Sequence, residues 1–167
     1  MTQNYKETIL VTSFDENYFD YASVFVKSLS LNFNEGFSLN LKCLVPKNLI
    51  EKEEEFIKKI QCENLIIEFV CSEKFNDLDN KGLAYESGYI SKNMSHRLFI
   101  GSLFPEFKKA IYIDPDTFVN RSIMPLLNYP LNNKLVATVE YSGMSKKSFL
   151  NPDLPYFNNG VFIADLE

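Results

Sequence analysis

The segment that decides the fold reads Ala110-Ile111-Tyr112-Ile113-Asp114-Pro115-Asp116-Thr117. A short run suited to a buried strand is followed by two carboxylates one residue apart. Carboxylates this close repel each other, so a compensating group is expected. A divalent cation fits, because hard cations prefer oxygen ligands and can bridge to phosphate oxygens. The alternative is a plain strand-ending turn, in which Asp and Pro are common residues.

Strand and helix patterns alternate along the rest of the chain. Apolar or alternating runs predict strands at residues 9–12, 39–45, 65–70, 135–139 and 160–163. Apolar residues at helical spacing predict helices at 18–33, 49–60 and 94–105, and the polar stretch 73–88 is predicted to be a long loop. The alternation indicates an α/β fold with a largely parallel sheet, in which ligands bind beyond the carboxyl ends of the strands.

Composition argues against several classes of protein. The 167 residues carry a formal net charge of -5, and nucleic-acid binding is disfavoured because phosphate backbones require a basic surface. No apolar run approaches the roughly 20 residues that span a bilayer, and the N-terminus has no apolar signal core. Cys43, Cys62 and Cys71 are scattered, which indicates buried thiols in a reducing compartment rather than disulfides or a zinc site. We therefore expect a cytoplasmic protein.

A second polar segment also follows a predicted strand and reads Thr12-Ser13-Phe14-Asp15-Glu16-Asn17-Tyr18. The carboxylate of Asp15, the amide of Asn17 and the ring of Tyr18 could hold a nucleoside, with the ring stacked on the base. The alternative, compatible with the first, is that Asp15 or Asn17 caps the helix that follows.

Two further candidates are polar residues near predicted elements. Asn158 and Asn159 precede a predicted strand and could hydrogen-bond sugar hydroxyls, although Asn-Gly is also a standard turn signal. Arg97 could pair with a phosphate, and the alternative is a surface arginine.

Taken together, four segments resemble glycosyltransferase family 8, the group that includes glycogenin and bacterial lipooligosaccharide galactosyltransferases. They occur in the family's order and rough spacing: residues 9–29, Ser95-His96-Arg97-Leu98, residues 112–119, and Phe157-Asn158-Asn159-Gly160-Val161-Phe162. The combination covers nearly the whole chain. It implies the GT-A fold, a three-layer α/β sandwich that binds nucleotide sugars. The segment at Asp114 also resembles the nucleophile motif of haloacid-dehalogenase-type phosphatases, but too few residues follow Asp116 for the rest of that core.

The family resemblance also implies a chemistry. Members usually transfer a hexose from a UDP-sugar, with Mn²⁺ (or Mg²⁺) and with retention of the anomeric configuration. By position, Asp114 and Asp116 resemble the metal ligands, and Pro115 between them departs from the usual small or apolar residue and would stiffen the metal loop. No general base is identified, and Arg97 is expected to stabilise the leaving diphosphate. The donor contacts that the resemblance implies are backbone near Thr12, and the side chains of Asp15, Asn17, Tyr18, Arg97, Asn158 and Asn159.

The larger departure from the family pattern lies at the end of the chain. Family members continue beyond the position of Glu167, through further donor-sugar residues and a His that completes the metal site. The only histidine here, His96, lies upstream and is interpreted as structural, with a residue at the rim of the site as the alternative. We therefore expect 1–167 to be one nucleotide-sugar-binding domain, incomplete at its C-terminus, that transfers sugar poorly alone. The alternative is a truncated or degenerate nucleotide-sugar-binding protein without transferase activity. The acceptor (carbohydrate, glycolipid or protein) and homo-oligomer formation stay open.

Overall fold

The computed structural model of the chain describes residues 5–33, 35–72, 96–140 and 157–167. Parts of the sequence predictions lie outside these residues. They are the long loop at 73–88, the start of the helix predicted at 94–105, and the side chain of Ser95.

The described strands form one six-stranded sheet. They are β1 (Thr8–Ser13), β2 (Leu39–Val45), β3 (Leu65–Cys71), β4 (Lys109–Ile113), β5 (Val136–Glu140) and β6 (Phe157–Asp165). Their order is β3-β2-β1-β4-β6-β5. The first four strands pair in parallel, whereas β6 is antiparallel to β4 and β5 is antiparallel to β6. The prediction of an α/β fold with a mostly parallel sheet is confirmed.

Helices lie on both faces of this sheet. The described α-helices are α1 (Phe19–Leu31), α2 (Glu53–Ile60), α3 (Ile100–Leu103) and α4 (Met124–Leu127). α1, α2 and α4 share one apolar core with alternate residues of the sheet, whereas α3 packs in a second core with the residues between them. Because side chains alternate along a strand, Leu10 belongs to the first core and Ile9 and Val11 to the second. The result is a three-layer α/β sandwich.

Four phenylalanines support the loop that follows β1. The ring of Phe14 lies 5.5 Å from that of Phe56 and 5.6 Å from that of Phe69, and Phe19 packs edge-on against Phe56 at 5.3 Å. Phe14 and Phe56 are fully buried. Such pairs contribute packing beyond the apolar area they bury, so the start of this loop is fixed to the core.

The structure corrects two predicted helices. The segment predicted at 49–60 begins as a 3-10 turn at Lys47–Lys52, and only Glu53–Ile60 is α-helical. In the segment predicted at 94–105, the described part is a 3-10 turn at His96–Phe99 followed by the short α3. α3 ends at Leu103, and its C-cap residue Phe104 has φ -133° and ψ 59°, because the following Pro105 disfavours helical backbone there.

The predicted burial of the thiols holds for one cysteine. Cys43 is buried in β2, whereas Cys62 and Cys71 are half-buried, and all three are free thiols. Burial raises the pKa of the Cys43 thiol well above its ordinary range. Cys43 therefore behaves as a small apolar core residue.

Candidate functional site

Two loops with acidic residues meet where the strand order reverses. From β1 the chain adds β2 and β3 on one side and then returns to place β4 on the other side of β1. β1 and β4 are parallel and pair Val11 with Tyr112, so their carboxyl ends lie at the same edge of the sheet. Open α/β sheets bind ligands in the crevice at such a switch point. The sequence prediction that both polar segments leave strands at this edge is confirmed.

Asp114 is the first residue after β4 and is held by groups from three segments. Its backbone N–H donates to the carbonyl of Gly160 at 2.7 Å. Its Oδ1 accepts a hydrogen bond from the hydroxyl of Tyr112 at 2.9 Å and lies 3.3 Å from Nη2 of Arg97. Pro115 is buried and Asp116 is exposed. One carboxylate of the pair is therefore fixed by protein groups, and the other faces solvent.

The surroundings of Asp114 disfavour its charged form. Burial raises the pKa of the carboxyl group above its ordinary value, and the carboxylate of Asp116 adds to this shift. The Arg97 guanidinium and the hydrogen bond from Tyr112 act in the opposite direction. A net raised pKa indicates a carboxylate that a bound cation would stabilise further.

Arg97 is a buried arginine, so its interpretation as a surface residue is wrong. Its side chain is 6% exposed. Nη1 donates to the carbonyl of Asn159 at 2.9 Å, and the guanidinium lies 4.7 Å from the centre of the Tyr112 ring. The planar group thus connects the 3-10 turn at His96–Phe99 to both β4 and β6. Such a fork-shaped donor suits a fixed anion site better than a lysine does.

The Asn-Asn-Gly segment lies inside β6, so the alternative that it forms a turn is wrong. The ladder between β5 and β6 shifts register beside it, at Thr138/Val139. The side-chain Oδ1 of Asn158 accepts from the N–H of Gly160 at 2.7 Å, and the carbonyl of Asn159 accepts from Arg97. Both asparagines are exposed, so part of their hydrogen-bonding capacity faces solvent.

Sequence reasoning missed two residues of this site. Tyr112 contacts Asp114 through its hydroxyl, and Gly160 supplies the carbonyl that receives the Asp114 N–H. Side chains two positions apart in a strand lie on the same face, so the sequence could have placed Tyr112 and Asp114 together. The contact with Gly160 had no sequence signal, because β6 is far from β4 along the chain.

The loop after β1 has the predicted helix cap. Oδ1 of Asp15 accepts from the N–H of Asn17 at 2.9 Å and caps the 3-10 turn at Glu16–Tyr18, which leads into α1. Asn17 is exposed, and Tyr18 is 43% exposed with its ring 5.6 Å from that of Tyr21. The cap uses one oxygen of the Asp15 carboxylate, and the amide and the ring remain accessible at the sheet edge.

Two other residues named from the sequence are buried. Thr12 is fully buried in β1, and within the described part of the chain its hydroxyl has no hydrogen-bond partner. The side chain of Thr12 is therefore closed to solvent. His96 is 3% exposed, in agreement with a structural interpretation.

The oxygen atoms of this site fit a hard divalent cation in part. Asp114 and Asp116 supply two carboxylates, which is the ligand type that Mg²⁺ and Mn²⁺ prefer. No cluster of three or more His, Cys, Asp or Glu side chains that could hold a metal occurs among residues 5–33, 35–72, 96–140 and 157–167. An ion at this pair would take its remaining oxygen ligands from phosphates and water, as Mg²⁺ commonly does.

Solved structures with the same fold include three glycosyltransferases. The bifunctional glycosyltransferase WbbM is 24% identical, covers 96% of this chain and 31% of its own, and has a TM-score of 0.72. The galactosyltransferase LgtC, solved with donor and acceptor sugar analogues, is 21% identical, with 94% of this chain and 57% of its own covered and a TM-score of 0.65. Mouse xyloside xylosyltransferase 1 is 16% identical and has a TM-score of 0.67, and the match covers 95% of this chain and 66% of the mouse chain. The fold is thus GT-A.

A family model then gives the more specific assignment. The model described as glycosyl transferase family 8 matches residues 9–167. The chain belongs to this family, as the four segments indicated. It spans about a third to two-thirds of the length of the solved chains above. The comparison with curated proteins found no match.

Among the described helices, none is long and apolar enough to cross a membrane.

Proposed function

We propose that this chain is the donor-binding part of a metal-dependent glycosyltransferase that transfers a hexose from a UDP-sugar with retention of the anomeric configuration. The observation that carries the proposal is the pair Asp114 and Asp116 at the carboxyl end of β4, beside the buried Arg97. Membership of glycosyl transferase family 8 supports glycosyl transfer in general.

In this proposal Asp114 and Asp116 bind Mn²⁺ or Mg²⁺ together with the diphosphate of the donor. The bound ion would supply positive charge that stabilises the leaving diphosphate. Pro115 keeps the segment between the two carboxylates stiff, because its φ is fixed. Two carboxylates delivered by one strand need little reorganisation before they bind a cation.

Arg97 and the two asparagines complete the donor site. Arg97 lies beside Asp114 and directs a second N–H group to β6, so its charge is fixed near the proposed diphosphate site. Fixed charge of this kind stabilises a departing anion without reorganisation. Asn158 and Asn159 are assigned to sugar hydroxyls or phosphate oxygens, since both are exposed at the same edge.

The nucleoside is assigned to the loop after β1. The carboxylate of Asp15 has one oxygen that is not used by its helix cap, and Asn17 and Tyr18 add an exposed amide and an exposed ring. The backbone near Thr12 is close to the same end of β1. The acceptor is left open to a carbohydrate, a glycolipid or a protein.

Titration calorimetry of UDP, with and without Mn²⁺, tests the metal and nucleotide together. We expect Mn²⁺-dependent binding that Asp116→Asn weakens by about tenfold or more, since a charged ligand contributes more than about 1.4 kcal/mol. Asp165→Asn is the matched control. Asp165 lies opposite Lys109 in the β4–β6 ladder, at the end of β4 that is farther from Asp114. UDP binding that needs no metal and has the same affinity in Asp116→Asn would contradict the proposal.

Nucleotide choice and transfer are tested separately. Thermal shifts should be larger with UDP than with ADP or GDP, and equal shifts would leave only generic diphosphate binding. Incubation with Mn²⁺, a panel of UDP-sugars and mixed acceptors then measures UDP release and glycosylated product. Donor binding without transfer would favour a nucleotide-sugar-binding protein over an active transferase.

A further inference from the structure

Tyr112 is a buried tyrosine whose hydroxyl group reaches the candidate site. The residue is fully buried in β4. Its ring stacks on Phe162, with the ring centres 5.2 Å apart and an interplanar angle of 16°, and the guanidinium of Arg97 lies 4.7 Å from its centre. These contacts leave the ring little freedom to rotate, so the direction of its hydroxyl is fixed.

The hydroxyl of Tyr112 and the guanidinium of Arg97 contact the same oxygen of Asp114. Tyr112 donates to Oδ1 at 2.9 Å, and Nη2 of Arg97 lies 3.3 Å from that atom. The other oxygen, Oδ2, faces Gly160. The hydrogen bond from Tyr112 and the ion pair with Arg97 therefore both involve Oδ1.

We propose that Tyr112 is a positioning residue that keeps the Asp114 carboxylate available to a divalent cation. Its hydroxyl fixes the carboxylate in an orientation in which Arg97 engages Oδ1, the same oxygen that Tyr112 contacts, so that Oδ2 is left for the ion. This inference rests on the proposed function, because it assumes that Asp114 and Asp116 bind the ion.

The physical reason is competition between Arg97 and the cation for Asp114. Arginine and carboxylate groups tend to pair through two parallel hydrogen bonds, which would occupy both oxygens. A tyrosine hydroxyl is a neutral donor, so it can direct the carboxylate without adding a second positive charge. Groups that orient metal ligands in this way commonly change metal affinity by about 10–100-fold.

Tyr112→Phe tests this inference because it removes only the hydroxyl and keeps the ring. Mn²⁺ binding is measured by the electron paramagnetic resonance signal of the free ion, with UDP at saturation, and UDP binding is measured separately with Mn²⁺ in large excess. We expect the Mn²⁺ dissociation constant to rise by about tenfold or more. Binding of UDP in excess Mn²⁺ should change little, because excess ion fills the weakened site, whereas a merely structural role of Tyr112 would lower UDP binding as well.

Tyr5→Phe is the matched control. Tyr5 also stacks on a phenylalanine, Phe37, at 4.6 Å, and its hydroxyl donates to a side-chain oxygen of Asn128 at 2.8 Å. It should leave Mn²⁺ binding unchanged. Equal loss in both variants, or no loss in Tyr112→Phe, would overturn the inference while wild-type Mn²⁺ binding still supports the proposed function. Absence of Mn²⁺ binding by the wild-type chain would overturn both.

A crystal structure of the wild-type chain with UDP and Mn²⁺ provides a test that does not depend on the variant folding. We expect the Tyr112 oxygen within hydrogen-bonding distance of the Asp114 carboxylate, and Arg97 on one carboxylate oxygen. A separation above 3.5 Å between Tyr112 and both oxygens, with the ion present, would overturn the inference.

Discussion

Gly160 lies directly against the carboxylate of Asp114. A Cβ atom at Gly160 would be 2.6 Å from Oδ2 of Asp114 and 3.0 Å from Oδ1 of Asn158. The two backbones are also joined, since the Asp114 N–H donates to the Gly160 carbonyl at 2.7 Å. β6 can approach the acidic loop this closely because residue 160 has no side chain.

Gly160→Ala should therefore displace the Asp114 carboxylate. The carboxylate is held at Oδ1 by Tyr112 and Arg97, so a shift away from the new methyl group weakens those contacts. We expect Mn²⁺ binding in the presence of UDP to weaken by about 10–100-fold. The free energy of unfolding, measured with urea, should fall by about 1–3 kcal/mol from overpacking.

Gly101→Ala is the control for that substitution. A Cβ at Gly101 would meet Leu166 Cδ2 at 3.6 Å, which is ordinary van der Waals contact. The change lies in α3 and should leave Mn²⁺ binding unchanged. Stability should be equal or slightly higher, because alanine has a higher helix propensity than glycine. Equal effects of the two substitutions would argue against a specific contact between Gly160 and Asp114.

Arg97→Lys should show whether the shape of the guanidinium matters. One ammonium cannot replace both the bond to the Asn159 carbonyl and the ion pair with Asp114, and it does not stack on Tyr112 as a planar group does. We expect urea unfolding to show a loss of about 1–3 kcal/mol. The exposed Arg121→Lys should change stability by less than about 0.5 kcal/mol.

Asp15→Ser and Asp15→Ala should separate the cap from nucleotide binding. Serine can accept the hydrogen bond from the Asn17 N–H, whereas alanine cannot, so Asp15→Ala alone should lose about 0.5–2 kcal/mol of stability. If the carboxylate also contacts the nucleoside, both variants should weaken UDP binding by about tenfold in calorimetry. Unchanged UDP affinity in Asp15→Ser would leave Asp15 with the cap alone.

Asp114→Asn should stabilise the metal-free protein at neutral pH. Burial raises the pKa of Asp114 in the folded state above its ordinary value of 3.8, so the protonated group favours folding and this contribution is lost as the pH rises through the folded-state pKa. Asparagine stays neutral at every pH. In chelator, the thermal midpoint of Asp114→Asn should exceed that of the wild type at pH 7, and the difference should shrink as the pH falls through the folded-state pKa and level off below the ordinary value.

The exposed Glu106→Gln is the control for this pH series, because its side chain faces solvent and it precedes β4, at the opposite end of that strand from Asp114. A lower midpoint for Asp114→Asn at pH 7 would mean that the ion pair with Arg97 outweighs the cost of burying the Asp114 carboxylate.

The order of strands and helices could be predicted because it depends on local periodicity. The apolar run before Asp114 and the alternation at 39–45 are β4 and β2 in the structure. The cap at Asp15 was also readable, since it joins residues two positions apart. The 3-10 turn at Lys47–Lys52 was not, because apolar spacing does not separate it from the α-helix that continues it.

The sequence by itself determined the α/β class, the carboxylate pair at the end of β4 and the acidic loop after β1, because each follows from residues that are neighbours in the chain. Only the tertiary structure decided that Arg97 is buried, that Asn158-Asn159-Gly160 lies in an antiparallel strand, and that Tyr112 and Gly160 contact Asp114. The Arg97–Asn159 hydrogen bond joins residues 62 positions apart. Such contacts depend on which segments pack together, and packing is set by the whole core rather than by any local pattern.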